Sequence, residues 1–254
     1  MYVLTGRVVP ERAVLSIDEI QVQLGSSEGM SGGDLFVTIS LNQIFARVTA
    51  LHEIPNLVAL RTVVENVLRT LVNIIGYSRG YAYDVEIVQA ISVDTGQNTV
   101  FGIDIPELAG LCDKSGIGIP DIFQAVAYPE DGYFLRHALA DVIQALKSPI
   151  DTGFFCYRAV ETLKNCCVMR SILPPKNDNA AWELFRKTYN ISKQNIMDVK
   201  AFGDSVRHGN YVQGKSWSYK DRIEILKGTW EIINKFLVAE KAATTVSSQQ
   251  ASPQ

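Results

Sequence analysis

Two stretches of the chain gather residue types that can move a proton or grip an anion. The first is Phe154-Phe155-Cys156-Tyr157-Arg158-Ala159-Val160-Glu161-Thr162-Leu163-Lys164-Asn165. At helical spacing Arg158 and Glu161 lie three residues apart on one face, with Tyr157 close to Glu161. That spacing gives either an ion pair along a helix or a polar pair turned into a groove between helices. The second is Gly203-Asp204-Ser205-Val206-Arg207-His208-Gly209-Asn210-Tyr211, at the end of an expected helix. Asp204 stands one turn ahead of His208, Arg207 is adjacent, and Gly209 suits a helix C-cap. An imidazole can act as acid or base near neutral pH, and a guanidinium can stabilise the charge that develops on a phosphate. The same His and Arg can also do no more than cap the negative end of a helix, and the residues alone leave both readings open. The other two histidines, His52 and His137, have no such neighbours.

Taken together, the two segments resemble the HEPN superfamily of helical domains, in particular the branch related to abortive-infection proteins of the ApeA type. The residues that carry the resemblance are Tyr157-Arg158-Ala159-Val160-Glu161-Thr162-Leu163 and Val206-Arg207-His208-Gly209, within roughly residues 130–240. The resemblance implies a helical bundle that often dimerises. It frequently implies a metal-independent ribonuclease of toxin or anti-phage defence systems, with RNA as partner and no cofactor. On that reading His208 is the acid/base, Arg207 and Arg158 hold the phosphate, and Tyr157, Glu161, Asp204 and Asn210 complete the binding surface. The family sets an Arg four to six residues before the His. Here Phe202, Gly203 and Asp204 fill those places and Arg207 stands next to His208. A non-catalytic binding or scaffold protein, or a small-molecule sensor, would use the same residues as a polar network.

The elements that must position these residues fall into two unlike parts, giving an α+β chain. Residues 2–9 and 13–24 read as strands joined by a turn at Pro10-Glu11-Arg12, the second with good apolar alternation. Gly25 to Gly33 is a loop by composition, and no Gly-Lys-Ser/Thr follows to make it a phosphate cradle. Residues 35–50 give one strand or two short ones. A helix runs from about Leu57, capped by Asn56, to Ile75, with Gly76 as its stop. Strands at 81–93 and 98–105 complete one antiparallel sheet packed on that helix. The pattern changes after Pro106, so a boundary is expected near residue 112. Helices are then expected at 120–127, 130–147, 150–170, 178–189, 192–208 and 218–241, and a disordered tail over 242–254.

Composition narrows the classes. Hydrophobic residues at 47% exclude wholesale disorder and allow a core in each part. Residues 1–113 carry a net charge of −7 and residues 114–254 one of +4, so the helical half is the one suited to a polyanion. Cys112, Cys156, Cys166 and Cys167 lack zinc-ligand spacing, and no metal site is expected. Met1 to Arg7 does not begin a secretion leader, and the apolar stretch 57–75 is broken every fourth residue by Arg61, Glu65, Arg69 and Asn73. A cytoplasmic homodimer with no membrane contact is the expectation.

Overall fold

The computed structural model describes residues 1–26, 32–54, 56–102, 105–127, 132–207 and 218–250, apart from the side chains of 204–207 and 244–250. The chain is α+β and forms two compact units, Met1–Ile103 and Asp104–Gln254. The expected boundary near residue 112 falls inside the second unit. Leu108, in a 3-10 turn at Pro106–Leu108, is buried in the helical core and so belongs with the second unit.

In the first unit, strands β1 (Tyr2–Val9), β2 (Ile17–Leu24), β3 (Gly33–Ser40), β4 (Gln43–Ala50), β5 (Asp84–Ser92) and β6 (Asn98–Val100) make one antiparallel sheet in the order β2-β3-β4-β1-β5-β6. Alternation explains the buried face. Leu4 and Val8, Leu35 and Val37, Ile44 and Ala46, and Val85 and Ile87 all point to one side. Helix α1 (Leu57–Arg79) covers that side with Leu60, Val64, Leu68 and Val72. Asn56 caps α1 as expected, accepting from the amides of Val58 and Ala59.

Several boundaries differ from the sequence reading; β5 and β6, for example, cover 84–92 and 98–100 rather than 81–93 and 98–105. The second strand starts at Ile17, not 13, because Asn42 claims the backbone ahead of it. The Leu15 amide donates to Asn42 Oδ1, and the Asn42 amide donates to the Leu15 carbonyl. Residues 33–50 form two short strands, one of the two readings offered, joined by a turn at Leu41 and Asn42, both at positive φ (48° and 67°). Helix α1 passes through Gly76 and ends at Gly80, whose φ of 69° supplies the left-handed cap. Gly76 is small for another reason: a Cβ there would strike the Tyr81 carbonyl as the chain folds back.

Polar contacts help to fix α1 on the sheet: Arg69 donates to Asp84 and to the Val85 carbonyl of β5, and a second set surrounds Glu65. A register shift between Thr5 and Gly6 of β1 sets Val88 of β5 out of step. The Ile87 amide beside this bulge donates to the buried Glu65 carboxylate at 3.1 Å. Arg61 donates to the same oxygen from one turn away, also at 3.1 Å. A backbone N–H and a carboxylate that would be costly to bury alone thus satisfy each other.

The second unit contains α2 (Leu111–Lys114), α3 (Ile119–Ala127), α4 (Gly132–Lys147), α5 (Thr152–Met169), α6 (Asp178–Tyr189), α7 (Lys193–Arg207) and α8 (Tyr219–Gln250). Helix α5 is central and packs on α4, α6, α7 and α8. Its Cys156, Val160, Leu163 and Cys166 share a core with Phe185, Val199, Phe202, Leu226 and Phe236. Of the segment expected to be a disordered tail, residues 242–250 continue α8 as helix, and 251–254 lie outside the described residues. It holds no Gly or Pro before Pro253, so nothing in it breaks the helix.

Candidate functional site

Each face of α5 engages a different neighbour, and this separates the residues that the sequence grouped. Arg158 turns to α4, where Nε donates to Asp141 Oδ2 at 2.8 Å and the terminal nitrogen donates to Asp141 Oδ1. The guanidinium lies 5.0 Å from the Phe154 ring centre and 5.2 Å from that of Phe155. Asp141 is buried, and its hydrogen bond to Arg158 raises the guanidinium pKa further above its ordinary value. A bidentate fork of this kind fixes both position and orientation. Arg158 is therefore a brace between α4 and α5. Among the described residues its ion pair is with Asp141, not with Glu161.

Tyr157, Glu161 and Lys164 follow each other at four- and three-residue steps along another face. Lys164 is buried, with its ammonium 2.7 Å from Asp178 Oδ1 of α6 and 3.8 Å from Glu161. It also lies 4.6 Å from the Trp182 ring centre, and Trp182 Nε1 donates to the other Asp178 oxygen at 3.0 Å. The Tyr157 ring sits 6.0 Å from that of Trp182. Hydrogen bonding from Lys164 holds the Asp178 carboxyl below its ordinary pKa, helped by the nearby charge of Lys200 on α7. Glu161, expected opposite Arg158, is thus part of a lysine-centred cluster. The sequence reading missed Lys164, Asp178 and Trp182. Lys164 did stand at helical spacing from Glu161, but its main partner arrives from a different helix.

Helices α5 and α7 cross in backbone contact. A Cβ on Gly153 would lie 2.6 Å from the Phe202 carbonyl oxygen. One on Gly203 would lie 2.7 Å from the Gly153 carbonyl oxygen and 3.1 Å from Tyr157 Cβ. Both positions require glycine, since any side chain would drive the helices apart. The crossing brings the start of the second sequence segment onto the first. Beside it Arg222 of α8 donates to Thr152 Oγ1 (2.8 Å) and to the carbonyls of Ala145 (3.1 Å) and Leu146 (3.0 Å). Burial lowers the Arg222 pKa from its ordinary value, and among the described residues its hydrogen-bond acceptors are neutral oxygens. His208 and Asn210 lie outside the described residues, as do the side chains of Asp204 and Arg207; the backbone of both belongs to α7.

A groove of about 410 Å³ runs between α7 and α8. Among the described residues Asp198, Asp221, Glu224, Lys227 and Glu231 line it above the buried Val199 and Ile225, with Glu224 paired to Lys227 and Glu231 to Lys235. Among the described residues no three His, Cys, Asp or Glu side chains are grouped to hold a metal ion. Nor is any described helix long and apolar enough to cross a membrane.

Two family models match the chain. The N-terminal domain of the domain of unknown function DUF8168 matches residues 2–101, and its C-terminal domain matches residues 119–241. No curated protein and no solved structure matches.

Proposed function

We propose, for a chain that belongs to the DUF8168 family by both of its domains, that the helical unit is an HEPN-like module directed at RNA. His208 serves as acid/base and Arg207 as a phosphate cation. Arg222, beside the crossing and bonded among the described residues to neutral acceptors, is offered as a second cation. Arg158 acts from its place in the Asp141 fork, as a positioning residue. The observation that supports the reading is the glycine crossing of α5 and α7, which sets α7, the helix whose backbone carries Arg207, against Tyr157 of the first segment. Activity of this kind suits a cytoplasmic toxin or defence protein that works with a second copy of itself.

The test is incubation of the purified chain with end-labelled single-stranded RNA. The expected result is cleavage without added metal, lost in His208→Ala while the melting temperature holds. Removing an acid/base catalyst costs about 10²–10⁴-fold in rate. Binding should also weaken as salt is raised, because basic groups displace counterions from the phosphates. RNA that stays intact and unbound at low salt overturns the proposal.

A second reading, a binding or scaffold module without catalysis, is favoured by the state of the α5 cations. Arg158 and Lys164 are both already paired with carboxylates. Salt-sensitive RNA binding without cleavage, unaltered in His208→Ala, would select it.

A further inference from the structure

Helix α1 carries a second stripe besides the one that faces the sheet. Val63, Val67, Thr70, Ile74 and Tyr77 recur at alternating steps of four and three residues. Their mean direction lies roughly 120° round the helix from that of Leu60, Val64, Leu68 and Val72. Ile74 is 63% exposed and Tyr77 93%, Thr70 is exposed, and Val63 and Val67 are half-buried. The four charged residues of the helix avoid this stripe. Arg61 and Glu65 pair with each other, Arg69 bonds Asp84 of β5, and Arg79 lies in the last turn. The face of a helix turned away from its core ordinarily carries the charges, and here it carries none.

Two further features suit the stripe to burial against another helix. Steps of four and three are the spacing at which the side chains of two helices interlock at a shallow crossing angle. The one hydroxyl on the stripe needs no outside acceptor, because Thr70 Oγ1 donates to the Asn66 carbonyl at 2.8 Å. Charge narrows the occupant. Residues 1–113 carry a net charge of −7, so two copies of this half repel across charged surfaces and meet most easily across an uncharged one. We propose that α1 of one copy of this chain packs against α1 of a second copy along Val63, Val67, Thr70, Ile74 and Tyr77. The patch is the same on both copies, so the contact is symmetric and closes at two chains. Thr70 is the centre of the stripe and meets its own counterpart whether the two helices run parallel or antiparallel. One pair of helices is a small interface, which places the association in the micromolar range.

Charge placed at the centre of a symmetric contact gives the test. In Thr70→Glu two carboxylates meet across the axis, and in Thr70→Lys two ammonium groups do. Sedimentation of the full chain, without RNA, should show the natural sequence passing from monomer to dimer as its concentration rises through the micromolar range. Thr70→Glu and Thr70→Lys should each associate about 30-fold more weakly or worse, because like charges are juxtaposed. An equal mixture of the two should form a dimer again, with one chain of each kind. Ile74→Glu, at a second exposed position of the stripe, should also stay monomeric, and circular dichroism melts establish that each variant is folded. A natural chain that stays monomeric gives the stripe to some other occupant and overturns the proposal. A Thr70→Glu chain that dimerises like the natural one, or a mixture that stays monomeric, overturns it too. The readout involves no RNA, so its failure is distinct from failure of the proposed function.

Discussion

Asp141 makes the heaviest single demand on its partner. Its side chain is 8% exposed, so Arg158→Ala leaves a carboxylate buried without its fork. The expected loss is about 1–3 kcal/mol, the desolvation cost of an orphaned polar group, read as a lower urea midpoint. Arg158→Lys should restore only part of it, because an ammonium cannot bond both oxygens in the plane. An unchanged midpoint in Arg158→Ala would show that water replaces the guanidinium without cost. The Lys164–Asp178 pair predicts a pH effect. The folded Asp178 pKa lies below its unfolded value, so the pair contributes stability above about pH 4, where an unfolded aspartate is ionised. That contribution is lost as pH falls through the folded value. Lys164→Met should therefore flatten the acid limb of the melting temperature between pH 6 and 3; parallel curves for the two proteins would refute the assignment. The thiols differ sharply as well. Burial pushes Cys156 up to about 11, and Cys166 and Cys167 are also buried, whereas Cys112 is half-buried. Native protein at pH 8 should release one thiol to a disulfide reagent, slowly, and all four after unfolding.

At the scale of elements, apolar periodicity was enough to read most helices and strands, because burial of one face sets where each can form. What periodicity does not carry is the reason for a glycine. Gly76 and Gly80 look alike in sequence, yet Gly76 makes room for the returning chain and only Gly80 adopts the left-handed cap. Two short strands over this stretch were one of the readings offered, but the place of the turn at Leu41-Asn42 was hidden, since Leu is a poor residue for positive φ and the Asn42 contacts with Leu15 are remote in sequence. The candidate site was legible only in part. Tyr157 and Glu161 do lie in one cluster, but Arg158 belongs to another because Asp141 sits on a different helix. The glycine crossing gives the test at this scale. Gly203→Ala places a methyl against backbone, which cannot swing aside, and should cost about 1–3 kcal/mol. Calorimetry should show a fall of about 2–4 °C per kcal/mol in the melting temperature. An unshifted transition would mean that α5 and α7 part without penalty.

On the scale of the whole molecule, each unit owns a separate buried core, one around α1 and the sheet and one around α5. Residues 1–103 and 104–254, expressed separately, should each melt cooperatively by circular dichroism, and any RNA activity should stay with 104–254. A fragment 1–103 without a transition would show that the sheet depends on the helices.

Helix α8 ties together parts of its unit that are far apart in sequence. Asn234 donates to the Leu111 carbonyl, Lys241 to that of Gly116, Arg222 to those ending α4, and Glu240 receives Arg170. These contacts also impose an order in time. A growing chain emerges from its first residue onward, and the sheet unit is complete long before residue 219 is added. Helices α2 to α7 emerge next, with their inward apolar faces still waiting for Leu226, Ile232 and Phe236. During translation the helical unit thus passes through an interval in which most of it exists and none of it can close. Any premature stop before α8 would leave a finished sheet joined to helices without their last wall, a product for proteases and chaperones to clear.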